Sequence, residues 1–322
     1  MTDYMAIVTK SVMVEIIDYP GSLQSAVFGV KEFLQLANSL EPSNEQVQFH
    51  VEIKPYDDWS KSVDGLIENS KADIILVPPN LDGSYYLEPD EGLLDYLVQS
   101  HQRGAILCSA CAGVFILAET GLLQGRTVTT HWQAQQQFSE QYAEVDVDVD
   151  KILIDDDDII TAGGLMSWMD LALFILTKYT TPTNTRNLGK YLVLDTGLRE
   201  QRYYQSFVPN YAHGNDKIVF VQRFIQKNHH LPLTLDQLAE EAFMTRRTFI
   251  RQFTKATTLT PINYIQHVRV QSACELLESS HKPVEQISYL VGYEDVNSFR
   301  KVFMKIIGLT PSRFRSRFLS EE

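Results

Sequence analysis

Thr248-Phe-Ile-Arg-Gln-Phe253 and Ser298-Phe-Arg-Lys-Val-Phe303 share one pattern of residues at an offset of 50 positions. Leu259-Thr-Pro261 and Leu309-Thr-Pro311 repeat at the same offset. Upstream the offset becomes 49, so one turn differs in length between the copies while the helices on either side of it persist. A repeat of this kind predicts two copies of one supersecondary unit.

Each copy is predicted to be a helix, a short turn and a second helix. In the first copy the turn is Phe243-Met244-Thr245, and Phe249 and Phe253 lie one helical turn apart on the inner face. Between the copies, Pro261 to Glu278 is predicted as a long amphipathic helix. Two helix-turn-helix units joined by a rigid helix would present their second helices to successive major grooves, roughly 34 Å apart. The C-terminal third is therefore predicted to be all-α and to bind DNA.

The outer faces of the two second helices are basic, which two αα-hairpins with solvated faces could also explain. Two units in register, with matched Thr-Pro ends, favour DNA binding, because arginine suits guanine and asparagine suits adenine in the major groove. Arg315 and its neighbours Arg313 and Arg317 can add contacts to phosphate. The candidate DNA-contacting residues are Arg246, Arg247, Ile250, Arg251, Val296, Asn297, Arg300 and Lys301.

Charge is distributed unevenly along the 322 residues, whose net charge is −13. Residues 216–322 carry 15 Lys and Arg against 11 Asp and Glu, and the remainder carries a net charge of −17. Such an asymmetry indicates two domains with different partners. The predicted bounds are 1–206 for the first domain, 207–216 for a linker and 217–322 for the DNA-binding domain.

The first two-thirds of the chain alternates short apolar runs with helical patterns. Asp73-Ile-Ile-Leu-Val77 and Ala105-Ile-Leu-Cys-Ser-Ala110 are typical of buried parallel strands. Strands that alternate with helices predict an α/β sandwich of the flavodoxin-like kind, with its site at the carboxyl ends of the strands. Cys111 follows the second of these strands and precedes a helix, the place of a nucleophile elbow, where a helix N-terminus lowers the pKa of a thiol. His131 is a candidate base.

Two resemblances follow from these motifs. Ile287-Ser-Tyr-Leu-Val-Gly-Tyr293 and Gly308-Leu-Thr-Pro311, with the repeated stretch between them, resemble the AraC/XylS family. Its base-contacting positions fall on residues of the candidate set. Ser109-Ala-Cys-Ala-Gly113 and Thr161-Ala-Gly-Gly164 resemble the ThiJ/PfpI group of the amidotransferase-like fold. Together they resemble GlxA-like regulators, in which that domain precedes an AraC-type module.

The resemblance implies a transcriptional regulator that binds double-stranded promoter DNA and a small effector of unknown identity. Because members of the family are mostly activators, the resemblance also implies an activator. It also implies a homodimer, with RNA polymerase as a candidate partner. Three departures argue against an enzyme: Ala26 replaces an acidic residue, Ala112 replaces a histidine of the peptidase branch, and Pro79 lacks the N–H of an oxyanion hole. Cys111 and His131 are then vestigial. The expected effector pocket contains Cys111, Ala112, His131 and Trp132.

Two alternatives stay open for the thiol. One is a cysteine hydrolase or amidase of the ThiJ/PfpI type that uses Cys111, and the other is a redox-responsive regulator based on Cys108-Ser-Ala-Cys111. Asp146, Asp148 and Asp150 have the spacing of a calcium loop but lack its glycine and final glutamate, so no metal or other cofactor is expected. Three cysteines and no long apolar run predict a cytoplasmic protein without a membrane partner.

Overall fold

The computed structural model describes residues 10–40, 47–57, 71–197 and 199–319. The chain forms two compact units, Met1–Gln201 and Arg202–Glu322.

Six of the described strands form one sheet in the order β2-β1-β3-β4-β8-β7. Neighbouring strands are parallel except β7 and β8, which form an antiparallel hairpin at one edge. Two further short strands, β5 and β6, pair with each other in parallel. The strands are β1 Lys10–Asp18, β2 Val47–Pro55, β3 Ile74–Val77, β4 Ile106–Ala110, β5 Thr127–Val128, β6 Asp146–Val147, β7 Leu153–Asp156 and β8 Ile159–Ala162.

Helices cover both faces of this sheet, which explains why β3 is apolar at every position and buried throughout. The helices of the N-terminal unit are α1 Gln24–Leu40, α2 Glu91–Gln102, α3 Gly113–Glu119, α4 Gln135–Gln141, α5 Trp168–Tyr179 and α6 Pro182–Leu192. One apolar core lies between the sheet and α1 with α5, and a second lies between the sheet and α2 with α3. The predicted α/β sandwich is confirmed.

The C-terminal unit is helical, as predicted. Its helices are α7 Asp216–Asn228, α8 Leu235–Glu241, α9 Arg246–Thr257, α10 Pro261–Ser279, α11 Val284–Leu290, α12 Val296–Ile307 and α13 Pro311–Phe318. Phe249 and Phe253 of α9 are fully buried in one core, and Phe299 and Phe303 of α12 are fully buried in another. The long helix α10 contributes side chains to both cores, so it joins the two helix-turn-helix units into one body.

The ends of the repeated helices show why their sequences match. Thr260 and Thr310 are N-caps whose side chains accept hydrogen bonds from the backbone amides of Asn263 and Arg313. A proline follows each cap at the first helical position, where its missing N–H loses no helical hydrogen bond. The matched Thr-Pro pairs thus start α10 and α13.

The segment predicted as a linker, 207–216, lies within the C-terminal unit. Phe207 packs edge-on against Tyr264 with ring centroids 5.1 Å apart, and its backbone amide donates to Gln271 Oε1 at 3.0 Å. Asn215 caps α7 by accepting from the Ile218 amide. Most of this segment therefore has fixed contacts instead of the freedom of a linker. The functional bounds 1–206 and 217–322 stay a prediction.

Replacing Thr258 with glycine should stabilise the C-terminal unit. Thr258 ends α9 with φ +60°, and the matching residue of the repeat, Gly308, ends α12 with φ +81°. A β-branched residue in the left-handed region is strained by about 1–2 kcal/mol relative to glycine. We expect Thr258→Gly to raise the free energy of unfolding of this unit by about 1 kcal/mol, measured by hydrogen exchange of α10 amides. Thr258→Ala is the control, and an equal gain from alanine would contradict the explanation.

Candidate functional site

Cys111 occupies a strained turn between β4 and α3. Its φ is +53°, in the left-handed region that few residues other than glycine adopt. The next residue but one, Gly113, has no room for a side chain, because a Cβ would approach the carbonyl oxygens of Val77 and Pro78 to 2.7 and 2.8 Å. The strand therefore enters the helix through a turn of nucleophile-elbow geometry, as predicted.

The electrostatics of the thiol differ from the prediction. Burial raises the pKa of Cys111 to about 11, and a hydrogen bond from the Ala112 backbone opposes this only in part. The side chain is 7% exposed. The expectation that the helix N-terminus lowers the pKa of Cys111 was wrong. Desolvation of the thiolate raises the pKa by more than the N-terminus of the short helix α3 can lower it. Cys108 is wholly buried in β4, and burial raises its pKa as well.

The His131 ring has its own hydrogen-bond partner in the backbone. Its Nδ1 accepts a hydrogen bond from the Gln133 amide at 3.2 Å, so the ring is the neutral tautomer with its proton on Nε2. Burial lowers the pKa of His131. Its ring stacks on Trp132, with centroids 5.7 Å apart. Among the described residues no hydrogen bond joins His131 to Cys111 or to a carboxylate.

The loop before His131 is tied to the cysteine turn through the backbone. Thr130 is fully buried, and its hydroxyl donates to the carbonyl oxygen of Cys111 at 2.9 Å. Gln201 Oε1 accepts from the Trp132 amide, also at 2.9 Å. Thr130 and Gln201 are not among the predicted site residues, because a threonine beside His131 carries no signal of its own and Gln201 is 90 residues away from Cys111. The four predicted pocket residues thus lie on two loops that hydrogen bonds hold together.

Two residues that depart from the pattern of the enzymes, Ala26 and Pro79, have defined surroundings in the structure. Ala26 lies in the first turn of α1 and is fully buried in the apolar core, where it supplies no charge. Pro79 uses its carbonyl to accept from the Leu23 amide, and the carbonyls of Val77 and Pro78 face Gly113. Carbonyl oxygens beside the turn would repel an oxyanion.

Tyr19 is a further polar group near the thiol. It follows β1, is 2% exposed, and donates its hydroxyl to the Pro78 carbonyl at 2.8 Å. Burial first, and the nearby Cys111 second, raise the pKa of Tyr19. A neutral phenol beside a neutral thiol provides hydrogen-bonding groups without charge.

The candidate DNA-contacting residues lie on the outer faces of α9 and α12. Arg246, Arg247, Arg251, Asn297, Arg300 and Lys301 are exposed, and Ile250 and Val296 are half-buried. Two of the arginines are paired in the free protein: Arg300 Nη2 lies 2.6 Å from Glu285 Oε1, and Arg246 Nη1 lies 3.6 Å from Asp236 Oδ2. Each acid belongs to the first helix of its own unit. Arg300 and Arg246 would exchange these acids for DNA.

A basic cleft of about 590 Å³ opens beside the second half of α9. It is lined by His213, Asn215, Arg251 and Lys255 together with Gln252 and Ala256. Asn215 Nδ2 donates to Gln252 Oε1 at 3.1 Å, which fixes the chain before α7 against the second helix of the first unit. The cleft therefore extends the basic face of α9 towards the start of the C-terminal unit.

Two of the arginines expected at phosphate also have intramolecular partners. Arg315 donates to the carbonyl of Lys282. Arg317 donates to the Tyr204 hydroxyl at 2.7 Å. Both side chains help to pack α13.

Within the described parts of the chain, no group of three or more His, Cys, Asp and Glu side chains could hold a metal ion. None of the described helices is long and apolar enough to cross a membrane.

Two known protein families match separate parts of the chain. The DJ-1/PfpI family matches residues 41–178, and a helix-turn-helix domain family matches residues 238–317. The chain has a DJ-1/PfpI domain followed by an AraC-type helix-turn-helix domain, the composition of a transcriptional regulator. The predicted resemblance and the main functional hypothesis are thereby confirmed.

Two relatives match more than two thirds of this chain. CdhR of Pseudomonas aeruginosa, named an HTH-type transcriptional regulator, is 29% identical over 260 residues, which cover 80% of this chain and 76% of CdhR. ArgR of the same species, with the same description, is 26% identical over 69% of this chain and 67% of its own. A crystal structure of an AraC family transcriptional regulator from Pseudomonas putida is similar with a TM-score of 0.46 and 18% identity, covering 56% of this chain and 99% of that one.

The pH profile of Cys111 alkylation tests the character of the thiol. With a pKa of about 11, the thiolate is roughly one part in ten thousand at pH 7. We expect iodoacetamide to modify Cys111 slowly at pH 7 and about tenfold faster per pH unit up to pH 10. Peptide mass spectrometry separates it from Cys108 and Cys274. A rate that levels off near pH 7 would instead indicate an activated nucleophile.

Proposed function

We propose that this regulator binds promoter DNA through the outer faces of α9 and α12 and binds a small effector beside Cys111 without catalysis. The observation that carries the DNA interface is the duplication: both second helices bury two phenylalanines inward and expose basic or amide side chains outward. A solvated basic face needs no such register between two units. We further propose that the regulator acts as a homodimeric activator.

The absence of catalysis is supported by the chemistry of the Cys111 turn. Acyl transfer needs a thiolate, a base and an oxyanion donor together. Here the pKa of Cys111 is raised to about 11 by burial. His131 accepts from Gln133 rather than facing a carboxylate, and carbonyl oxygens lie against Gly113. These neutral hydrogen-bonding groups suit reversible binding of a small polar molecule.

Selection of sheared genomic DNA on the full-length protein, with elution graded in salt, tests the DNA interface. Recovery of a few fragments that share a motif over two adjacent major grooves is the expected outcome. Indiscriminate recovery that is lost at moderate salt would mean that the repeat is only a basic surface. The hydrolase alternative would be favoured if the protein hydrolysed amides or esters and Cys111→Ala abolished that activity.

Arg251→Ala should weaken binding to the selected site by about 1–3 kcal/mol and relax base preference at one position. The reason is that Arg251 is exposed on the outer face of α9, where it would contact a base edge in the proposed interface. Fluorescence anisotropy with the selected duplex and its single-base variants measures both effects. Arg186→Ala, an exposed arginine of α6, is the matched control. An equal loss on every sequence would make Arg251 a phosphate contact.

Glu285→Gln should tighten binding to DNA. The Glu285 carboxylate pairs with Arg300 at 2.6 Å, and both side chains are about half exposed, so the pair itself contributes little stability. The substitution frees the guanidinium and removes a negative charge near phosphate. We expect affinity to rise about two- to fivefold at low salt, with the gain shrinking as salt increases. Glu278→Gln on α10 is the control, and no gain, or a gain that salt does not reduce, would contradict this role.

A further inference from the structure

Arg269 lies on α10 at the point where this helix passes from one helix-turn-helix unit to the other. Its neighbour Val268 packs in the first core, and Val270 packs in the second. The Arg269 Nε donates to the carbonyl of His229 at 2.8 Å, and its Nη2 donates to the carbonyl of Leu231 at 2.9 Å. Both carbonyls belong to the loop between α7 and α8, two helices that pack in the first core. The guanidinium is therefore bound to the backbone of the first unit.

The turn of the second unit lies directly against the same loop. A Cβ on Gly292, between α11 and α12, would approach the carbonyl oxygens of His229 and His230 to 2.7 and 2.9 Å. It would also come within 3.0 Å of the guanidinium carbon of Arg269. Such distances are too short for a side chain, so the backbones of the two units touch here only because residue 292 is a glycine.

The sequence repeat shows that this contact is particular to the second turn. At the offset of 49, the counterpart of Gly292 is Phe243, in the turn between α8 and α9. Both residues have a positive φ, +93° for Gly292 and +53° for Phe243. The Phe243 side chain is 86% exposed. The first turn thus has a large side chain in solvent at the position where the second turn has no room for one.

Tyr293 connects the guanidinium to the second recognition helix. The Arg269 guanidinium carbon lies 5.3 Å from the centre of the Tyr293 ring. That ring packs against Phe299 of α12, with centroids 5.4 Å apart, and Phe299 is fully buried in the second core. One arginine therefore contacts the loop of the first unit and the residue on which α12 rests.

These contacts restrict the two units more than apolar packing on α10 does. Apolar burial is non-directional, so side chains of the two cores tolerate small rotations about the shared helix. A planar guanidinium that donates to two carbonyls holds one distance and one orientation. Rotation of one unit about α10 would break the bonds of Arg269 or press Gly292 into the loop.

We infer that Arg269 is a positioning residue for DNA recognition, which fixes α12 relative to α9 and so restricts the regulator to sites with one spacing between their two halves. The inference rests on the proposed function. One added base pair moves a half-site by about 3.4 Å and rotates it by about 35°. Two helices held rigidly cannot follow this change, whereas two helices freed to rotate can.

Binding to duplexes of altered spacing tests the inference. The probes are the duplex recovered in the genomic selection, its versions with one base pair inserted or removed between the half-sites, and a duplex with a single half-site. Fluorescence anisotropy with the full-length wild-type regulator should show at least about a tenfold loss of affinity for either altered spacing. In Arg269→Ala this loss should fall to about threefold or less, with binding to the single half-site unchanged. General damage to the fold would weaken the single half-site as well.

Two further variants complete the comparison. Arg269→Lys keeps the charge but lacks the planar fork that reaches both carbonyls, so it should reduce the spacing penalty at least about twofold. It decides the question if Arg269→Ala fails to fold. Arg223→Ala is the matched control, because this exposed arginine of α7 also lies over a tyrosine, 5.7 Å from the Tyr211 ring, and both precede the first helix-turn-helix unit. It should keep the wild-type penalty.

A distance measurement tests the same restriction without DNA. Lys255→Cys on α9 and Met304→Cys on α12 place spin labels at exposed positions, while the three native cysteines are buried. Labelled full-length protein is diluted into unlabelled protein, so that electron–electron resonance reports only distances within one chain. We expect one narrow distance distribution with Arg269 present and a broader one in Arg269→Ala and Arg269→Lys.

The outcomes separate this inference from the proposed function. If the wild-type regulator selects no specific duplex, the proposed function fails and the spacing restriction falls with it, although broadened distances would still show that Arg269 joins the two units. If the wild type binds its duplex but tolerates altered spacing, the restriction alone is overturned. The same conclusion follows if Arg269→Ala, or Arg269→Lys in its place, keeps the wild-type penalty.

Discussion

Because the bare α-carbon of Gly113 packs against the carbonyl oxygens of Val77 and Pro78, the chain between β4 and α3 has room only for a tight turn. Cys111 takes the left-handed conformation that this turn requires. The same close packing that exposes a nucleophile in hydrolases here encloses the thiol, so desolvation dominates its pKa. The turn at Cys111 therefore has the backbone geometry of a nucleophile elbow, while burial keeps its thiol neutral.

The C-terminal unit is built from two copies of one helix-turn-helix motif. Each helix-turn-helix unit has its own apolar core, and α10 supplies side chains to both. Since the inner faces are fixed by the buried phenylalanines, the outer faces are free to carry arginine, lysine and asparagine. The acids Asp236 and Glu285 on the first helices hold two of these arginines in the free protein. In the proposed interface, such pairs would weaken indiscriminate attraction to phosphate.

The sequence by itself determined the repeat, the phenylalanine pairs and the basic faces of α9 and α12, because helical periodicity and capping are local and survive in any packing. It also located Cys111 at a strand-to-helix turn and predicted the buried strands β3 and β4. It could not give the sign of the pKa change at Cys111, which depends on how completely distant segments exclude water. Nor could it find the buried hydrogen bonds of Gln201 or the pairing of Arg300 with Glu285. These join residues far apart in the chain, and only the tertiary structure decides which polar groups remain to satisfy one another.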